Sequence, residues 1–308
     1  MGQERIAVIG NGIIGHGVAQ VFASAGHPVT MIGRSRTSLD GAMQKMRASL
    51  ADFVGEGLLS HAEADAAAGR VVLSTELSDA AGADLVIEAV TEDLPLKLEV
   101  FGELDRICRP EAILGSSSGQ PASALIANVR RRERVIATHF WYPPQLIPLV
   151  EICGGPHCAP EVLARTVAII RGTGKEPVVI EKEVKGFIGN RLQFALLREA
   201  WALWADGIAS AEAIDAVVKA SFGRRVGITG PIESADIGGL ATMVSFGNSL
   251  IPDLSTAPQA PEQVAMRLKA GGELPGIYDW SQRDAAALRA QRMAELFRWL
   301  KADRAGRK

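Results

Sequence analysis

Three cysteines in 308 residues are too few, and too irregularly spaced, to form a disulfide framework. Two of them, Cys153 and Cys158, bracket His157 in CGGPHC, but a tetrahedral metal site needs further ligands that the sequence does not offer. The cysteines therefore read as reduced structural thiols, and no metal is expected. Charge of one sign is also lacking: the net charge of -2 gives no basic stripe of the kind nucleic acid requires. No apolar run approaches the length of about 18 residues needed to cross a bilayer. The N-terminus enters an apolar strand without a charged leader, which makes a cytoplasmic protein the expectation. Internal repeats and low-complexity tracts are absent.

What is present is ordinary globular composition, 47% hydrophobic and 22% charged, in a chain long enough for two domains. Short apolar runs at 5–10, 29–32, 71–74, 84–89, 112–116 and 134–138 alternate with helical segments. That alternation predicts βαβ units and a mostly parallel sheet. Residues 41–70 read as a helical excursion between two strands. Beyond Glu183 the strand signals vanish, and GFIGNRLQFALLREAWALWADGIAS opens a run of helices. The predicted domains are 1–184, α/β with a doubly wound sheet, and 185–308, all-α. The final helix, DAAALRAQRMAELFRWLKADR, is expected on the outer surface of the second domain.

The first βα turn reads Gly10-Asn11-Gly12-Ile13-Ile14-Gly15 and fits G-x-G-x-x-G. The first glycine permits a tight turn, the second lets a pyrophosphate reach the backbone, and the third lets helix and sheet pack closely. The phosphates would meet the positive end of the helix. An acidic residue at the end of the second strand would bind a ribose 2'-hydroxyl, and this chain lacks one. Gly33 stands there, followed by Arg34, Ser35 and Arg36. These donors suit a 2'-phosphate dianion, which predicts NADP(H). NAD(H) stays open as the alternative, because arginine also stacks on adenine.

Further candidates sit at strand ends and at one helix start. Ser116, Ser117 and Ser118 end one strand, His139 ends the next, Glu151 follows in PLVE, and Asn190 stands in GFIGNR. Singly, these are a serine loop, a satisfied histidine, a surface carboxylate and a helix-start amide. Together with G-x-G-x-x-G, DLVIEAVTED and HF-x-x-P, they resemble the L-3-hydroxyacyl-CoA dehydrogenase superfamily over most of the chain. The resemblance is strongest to the short branch that includes gulonate 3-dehydrogenase (lambda-crystallin), carnitine dehydrogenase and a pyridine-carboxylate dehydrogenase of vitamin B6 breakdown. It implies a Rossmann-type domain followed by an all-α domain.

The resemblance also implies roles. His139 would be the general base, Glu151 its orienting carboxylate, Ser118 and Asn190 the groups on the substrate oxygen. Val90, Glu92, Lys97 and Ser118 would line the cofactor site, with Trp141 and Tyr142 beside the substrate. Two departures stand out. Tyr142 replaces an asparagine of the family's HF-x-N-P segment. The excursion SLADFVGEGLLSHAEADAAAGR has no lysine and one arginine, where acyl-CoA members carry basic residues for the CoA phosphates. The first bears on the shape of the substrate pocket, and the second points to a small free hydroxy acid or alcohol as substrate. A homodimer through the C-terminal helices is implied. The rival readings are an NAD-dependent L-3-hydroxyacyl-CoA dehydrogenase and a non-catalytic dinucleotide-binding sensor or crystallin-like protein.

Overall fold

A computed structural model describes residues 3–269 and 276–306. The chain groups into two compact units, Met1–Ile188 with Gln291–Lys308, and Gly189–Ala290. The first unit is built on β1 (Ile6–Ile9), α1 (Ile13–Ser24), β2 (Val29–Ile32), α2 (Arg36–Gly55), α3 (His61–Gly69), β3 (Val71–Ser74), β4 (Leu85–Glu88), α4 (Leu94–Ile107) and β5 (Ile113–Ser116). It continues through β6 (Val135–Phe140), β7 (Leu149–Cys153), α5 (Pro160–Gly172) and β8 (Glu176–Val179). These strands form one eight-stranded sheet in the order β3-β2-β1-β4-β5-β6-β7-β8.

The first six strands pair in parallel, as the βαβ pattern predicts. Apart from the edge strand β3, they are buried on both faces, so they read as continuous apolar runs with no alternation. One core holds the faces of α1, α2, α3 and α5 against the sheet, with Phe22, Met31, Leu39, Met46 and Ile170 inside it. On the opposite face Phe101, Leu104, Leu114 and Leu125 fill a second core under α4.

β7 and β8 escape a reading based on composition. β7 runs antiparallel to β6 and β8 runs parallel to β7. The segment PLVEIC has strand residues, but its proline-rich approach and embedded glutamate mask the pattern. That glutamate turns out to matter most.

The second unit follows from α6 (Phe187–Ala205), a helix that starts in the first unit. It comprises α7 (Ala211–Ala220), α8 (Gly223–Val226), α9 (Pro231–Ile237), α10 (Leu240–Leu250) and α11 (Glu262–Lys269). Helices α7 to α11 bury none of their side chains. The last helix, α12 (Ala285–Gly306), begins in this unit and ends in the first. There Phe297 and Leu300 pack with Phe53 and Leu146, and Lys301 pairs with Glu56 at 2.5 Å. Its amphipathic pattern announces a buried face and leaves open which neighbour covers it. The neighbour for these turns is α2, not the outer surface of the second domain.

Candidate active site

The parallel strands deliver chemistry to one edge of the sheet, where their carboxyl ends stop in a row. β1 ends at the dinucleotide turn, β4 at Glu88, β5 at Ser116, and β6 carries His139 beside β7's Glu151. Ligands in open α/β sheets bind along that edge.

The glycine turn has the shape its motif predicts. Gly10 adopts φ +103, and a Cβ there would lie 2.5 Å from the Ala89 carbonyl oxygen. A Cβ on Gly15 would lie 1.9 Å from the Gly10 oxygen, so turn and helix touch directly. Gly12, by contrast, has no atom within 4 Å of that position. The backbone is therefore open where a pyrophosphate would approach, at the start of α1, whose first turn carries no acidic residue. These residues fit a dinucleotide. Asn11 and Ile13 border the turn, and Ile14 packs against the core.

At the end of β2, a side chain on Gly33 would reach within 2.6 Å of Asn11 Oδ1 and 3.0 Å of Leu39. A side chain there would require the Asn11 amide and the Leu39 tip to shift. Arg34 is exposed. Ser35 caps α2, its Oγ accepting from the Ser38 N–H at 3.3 Å. Arg36 is exposed and its Nε donates to Asp40 at 3.0 Å, an exposed pair one helical turn apart.

Next along the edge is a buried polar network. Glu88 is 0% and Lys97 1% exposed, and Lys97 Nζ donates to Glu88 Oε1 at 2.8 Å. The same oxygen accepts from the Val90 N–H at 2.8 Å, and Oε2 accepts from Ser116 Oγ at 2.6 Å. Lys97 also stands 3.4 Å from Glu92. Ser118 Oγ donates to Glu92 at 2.6 Å and accepts from the Gln120 N–H at 3.0 Å. Burial alone would raise the Glu92 carboxyl, but the Ser118 hydroxyl and the Lys97 charge outweigh it and hold it below the ordinary carboxylate range. The sequence offers Ser116 only as one of three candidate serines, and Glu88 is no candidate there. The one signal was an acid inside the apolar run DLVIEAV, a buried charge that must have a partner.

His139 and Glu151 are Cα partners across the antiparallel β6–β7 pair. Directly opposed residues project to the same face, so the fold itself assembles this pair. His139 Nδ1 lies 2.8 Å from Glu151 Oε2, with both side chains buried. Trp141 Nε1 donates to the same oxygen at 3.1 Å, and the Ile188 N–H donates to Oε1 at 2.9 Å. The imidazole is edge-on to Trp141, with ring centroids 5.6 Å apart, and is tilted against Phe187 at 5.7 Å. Phe187 is fully buried with φ 47, a left-handed conformation rare for an aromatic residue. No sequence signal marked it.

Tyr142 is 63% exposed. Asn190 lies in the first turn of α6, in the second unit. One histidine that went unnoticed stands at the glycine turn: His16 Nδ1 is 2.6 Å from the Gly12 carbonyl oxygen. Burial lowers its pKa, against the opposing pull of that bond.

Residues 5–184 match the NAD binding domain of 3-hydroxyacyl-CoA dehydrogenase, and residues 186–276 match the C-terminal domain of the same enzymes. The chain is 32% identical over 303 residues to 5-formyl-3-hydroxy-2-methylpyridine 4-carboxylate 5-dehydrogenase of Mesorhizobium japonicum, covering 95% of this chain and 96% of that protein. It is 31% identical over 286 residues to a probable 3-hydroxybutyryl-CoA dehydrogenase of Bacillus subtilis, covering 91% and 98%. Among solved structures, a 5-formyl-3-hydroxy-2-methylpyridine 4-carboxylic acid 5-dehydrogenase, an NAD+ dependent dismutase, superposes with TM-score 0.88 at 30% identity, covering 98% of this chain and 99% of that one.

Proposed function

The chain belongs to the 3-hydroxyacyl-CoA dehydrogenase family, oxidoreductases with a NAD-binding domain, and from that premise we propose that it moves hydride between NADP(H) and a small free hydroxy acid or alcohol. The observation that carries the chemistry is the His139–Glu151 pair, 2.8 Å apart and buried at the end of the dinucleotide-binding sheet.

The bound nicotinamide supplies the hydride acceptor or donor. The protein supplies the proton path and the orientation. An ionised Glu151 only accepts, so the imidazole proton sits on Nδ1 and the Nε2 lone pair is left for the substrate hydroxyl. As the carbon loses hydride, His139 takes the hydroxyl proton, and Glu151 stabilises the imidazolium that forms. Ser118 and Asn190 hold the substrate oxygen, and Trp141 and Tyr142 border the substrate. Val90, Glu92, Lys97 and Ser118 support the cofactor through the Glu88 network.

Arg34, Ser35 and Arg36 are exposed at the end of β2 with no acid among them, which favours a 2'-phosphate. Against this, the solved relative is NAD+ dependent. A free substrate is favoured because the excursion from Ser49 to Arg70 has no lysine, and its single arginine is already bonded, Arg70 to the Ala23 carbonyl at 3.1 Å. Among the described residues no helix is long and apolar enough to cross a membrane. Three free thiols suit a reducing compartment such as the cytoplasm. The exposed apolar side chains of the second unit, Ile228, Ile232 and Phe246 among them, favour a homodimer.

His139→Ala tests the chemical assignment. Turnover of any accepted hydroxy compound should fall on the order of 10²–10⁴-fold, with the cofactor dissociation constant unchanged. Unaltered turnover would remove His139 from the mechanism.

A further inference from the structure

Three consecutive residues at the close of the first unit's long segment, Gly186, Phe187 and Ile188, each touch a different part of the candidate active site. The Gly186 N–H donates to the Gly119 carbonyl at 2.9 Å, which ties the segment to the loop that carries Ser118. The Phe187 ring lies tilted against the His139 imidazole, with centroids 5.7 Å apart. The Ile188 N–H donates to Glu151 Oε1 at 2.9 Å. One tripeptide therefore holds the serine loop, the imidazole and the carboxylate.

The backbone that does this is strained. Gly186 has φ 80 and Phe187 has φ 47, two left-handed residues in succession. Glycine takes that conformation freely, whereas a Cβ resists it. A non-glycine residue stays there only where its surroundings impose it, and such strain gathers at functional sites. Phe187 is fully buried and belongs to the core under α4, so its ring joins that core to the imidazole.

We infer that Phe187 is a positioning residue for the His139–Glu151 pair. Its ring braces the imidazole, and its left-handed backbone aims the Ile188 N–H at Glu151. Trp141 complements it: the indole meets the same imidazole edge-on and donates to Oε2, while the Ile188 N–H holds Oε1. Both carboxylate oxygens are fixed in this way. The inference rests on the catalytic role proposed for the pair, but its test reads the imidazole without substrate, so a wrong substrate class would leave it untouched.

Nuclear magnetic resonance of the full chain with isotopically labelled histidine provides that test. The chain has five histidines, and the spectrum of His139→Asn identifies the signal of His139. The wild type should show an Nδ1–H that exchanges slowly with water. In Phe187→Ala this exchange should quicken roughly tenfold, the upper reach of one aromatic contact. Phe187→Leu keeps an apolar side chain in the core without the ring, and should quicken exchange too, which covers the case in which the alanine variant folds poorly. Phe297→Ala empties a buried position in the cluster with Phe53 and should leave the His139 signal as in wild type. Equal quickening by Phe297→Ala would reduce Phe187 to core filling and overturn the inference. Wild-type exchange in a folded Phe187→Leu would overturn it as well, and so would a wild-type Nδ1–H too fast to observe, since no fixed imidazole would then exist. Phe187→Gly should melt above Phe187→Ala, the reverse of the usual helical order, because glycine relieves φ 47. The usual order would overturn the part assigned to the backbone.

Discussion

Glu151 accepts on its two oxygens from the His139 imidazole, the Trp141 indole and the Ile188 N–H, among others. A carboxylate so held cannot rotate away from the imidazole, which fixes the ring and its tautomer. Trp141 therefore positions the His139–Glu151 pair. Trp141→Phe keeps the aromatic edge against His139 and removes one donor. A net hydrogen bond is worth about 0.5–1.5 kcal/mol, so turnover should fall roughly 2- to 12-fold with cofactor affinity unchanged. Steady-state kinetics alongside a nicotinamide titration check this, and an unchanged turnover would make the indole bond incidental. At the same scale, burial pushes the Cys108 and Cys158 thiols up to about 11, which fits structural thiols rather than reactive ones.

Among the elements, the β4–β5 edge is held by the Glu88 carboxylate, which bonds Lys97, the Val90 N–H and Ser116 at once. Removing one partner of a buried ion pair leaves the other charge uncompensated, at a cost of about 3–5 kcal/mol. Glu88→Leu should therefore lower the melting temperature by roughly 6–20 °C, taking 2–4 °C per kcal/mol for a domain of this size. A melting curve within a degree of wild type would show that Lys97 is satisfied by Glu92 alone. This network was hard to read in advance. Glu92 and Lys97 were legible through the family resemblance, whereas Glu88 sits within an apolar strand and shows its role only when β5 brings Ser116 beside it. The same holds for β7. The resemblance named Glu151 as partner of His139, but the antiparallel register that explains their meeting has no short-range signature. The six parallel strands and the glycine turn were legible because each depends on local pattern alone. Where the end of α12 packs was not, because an amphipathic stripe does not name its neighbour.

At the scale of the whole molecule, helices α7 to α11 and the turn between α8 and α9 carry exposed apolar side chains, with Ile228 85% exposed and Ile232 and Ile237 each 77%. Exposed apolar side chains clustered in one unit mark an interaction surface, for which a second copy of the chain is the proposed partner. Sedimentation analysis should accordingly find a species of twice the chain mass of 32.7 kDa. A monomer at micromolar concentration would require another cover for these helices. The proposed function joins a small free substrate to a phosphorylated cofactor, and one experiment tests both. Near-ultraviolet absorbance would follow a panel of small hydroxy acids, hydroxymethyl aromatics, carnitine-like amines and a 3-hydroxyacyl-CoA, each with NADP and with NAD. The highest kcat/KM should belong to a free hydroxy compound with NADP. Highest kcat/KM for the CoA thioester with NAD would contradict the proposed function.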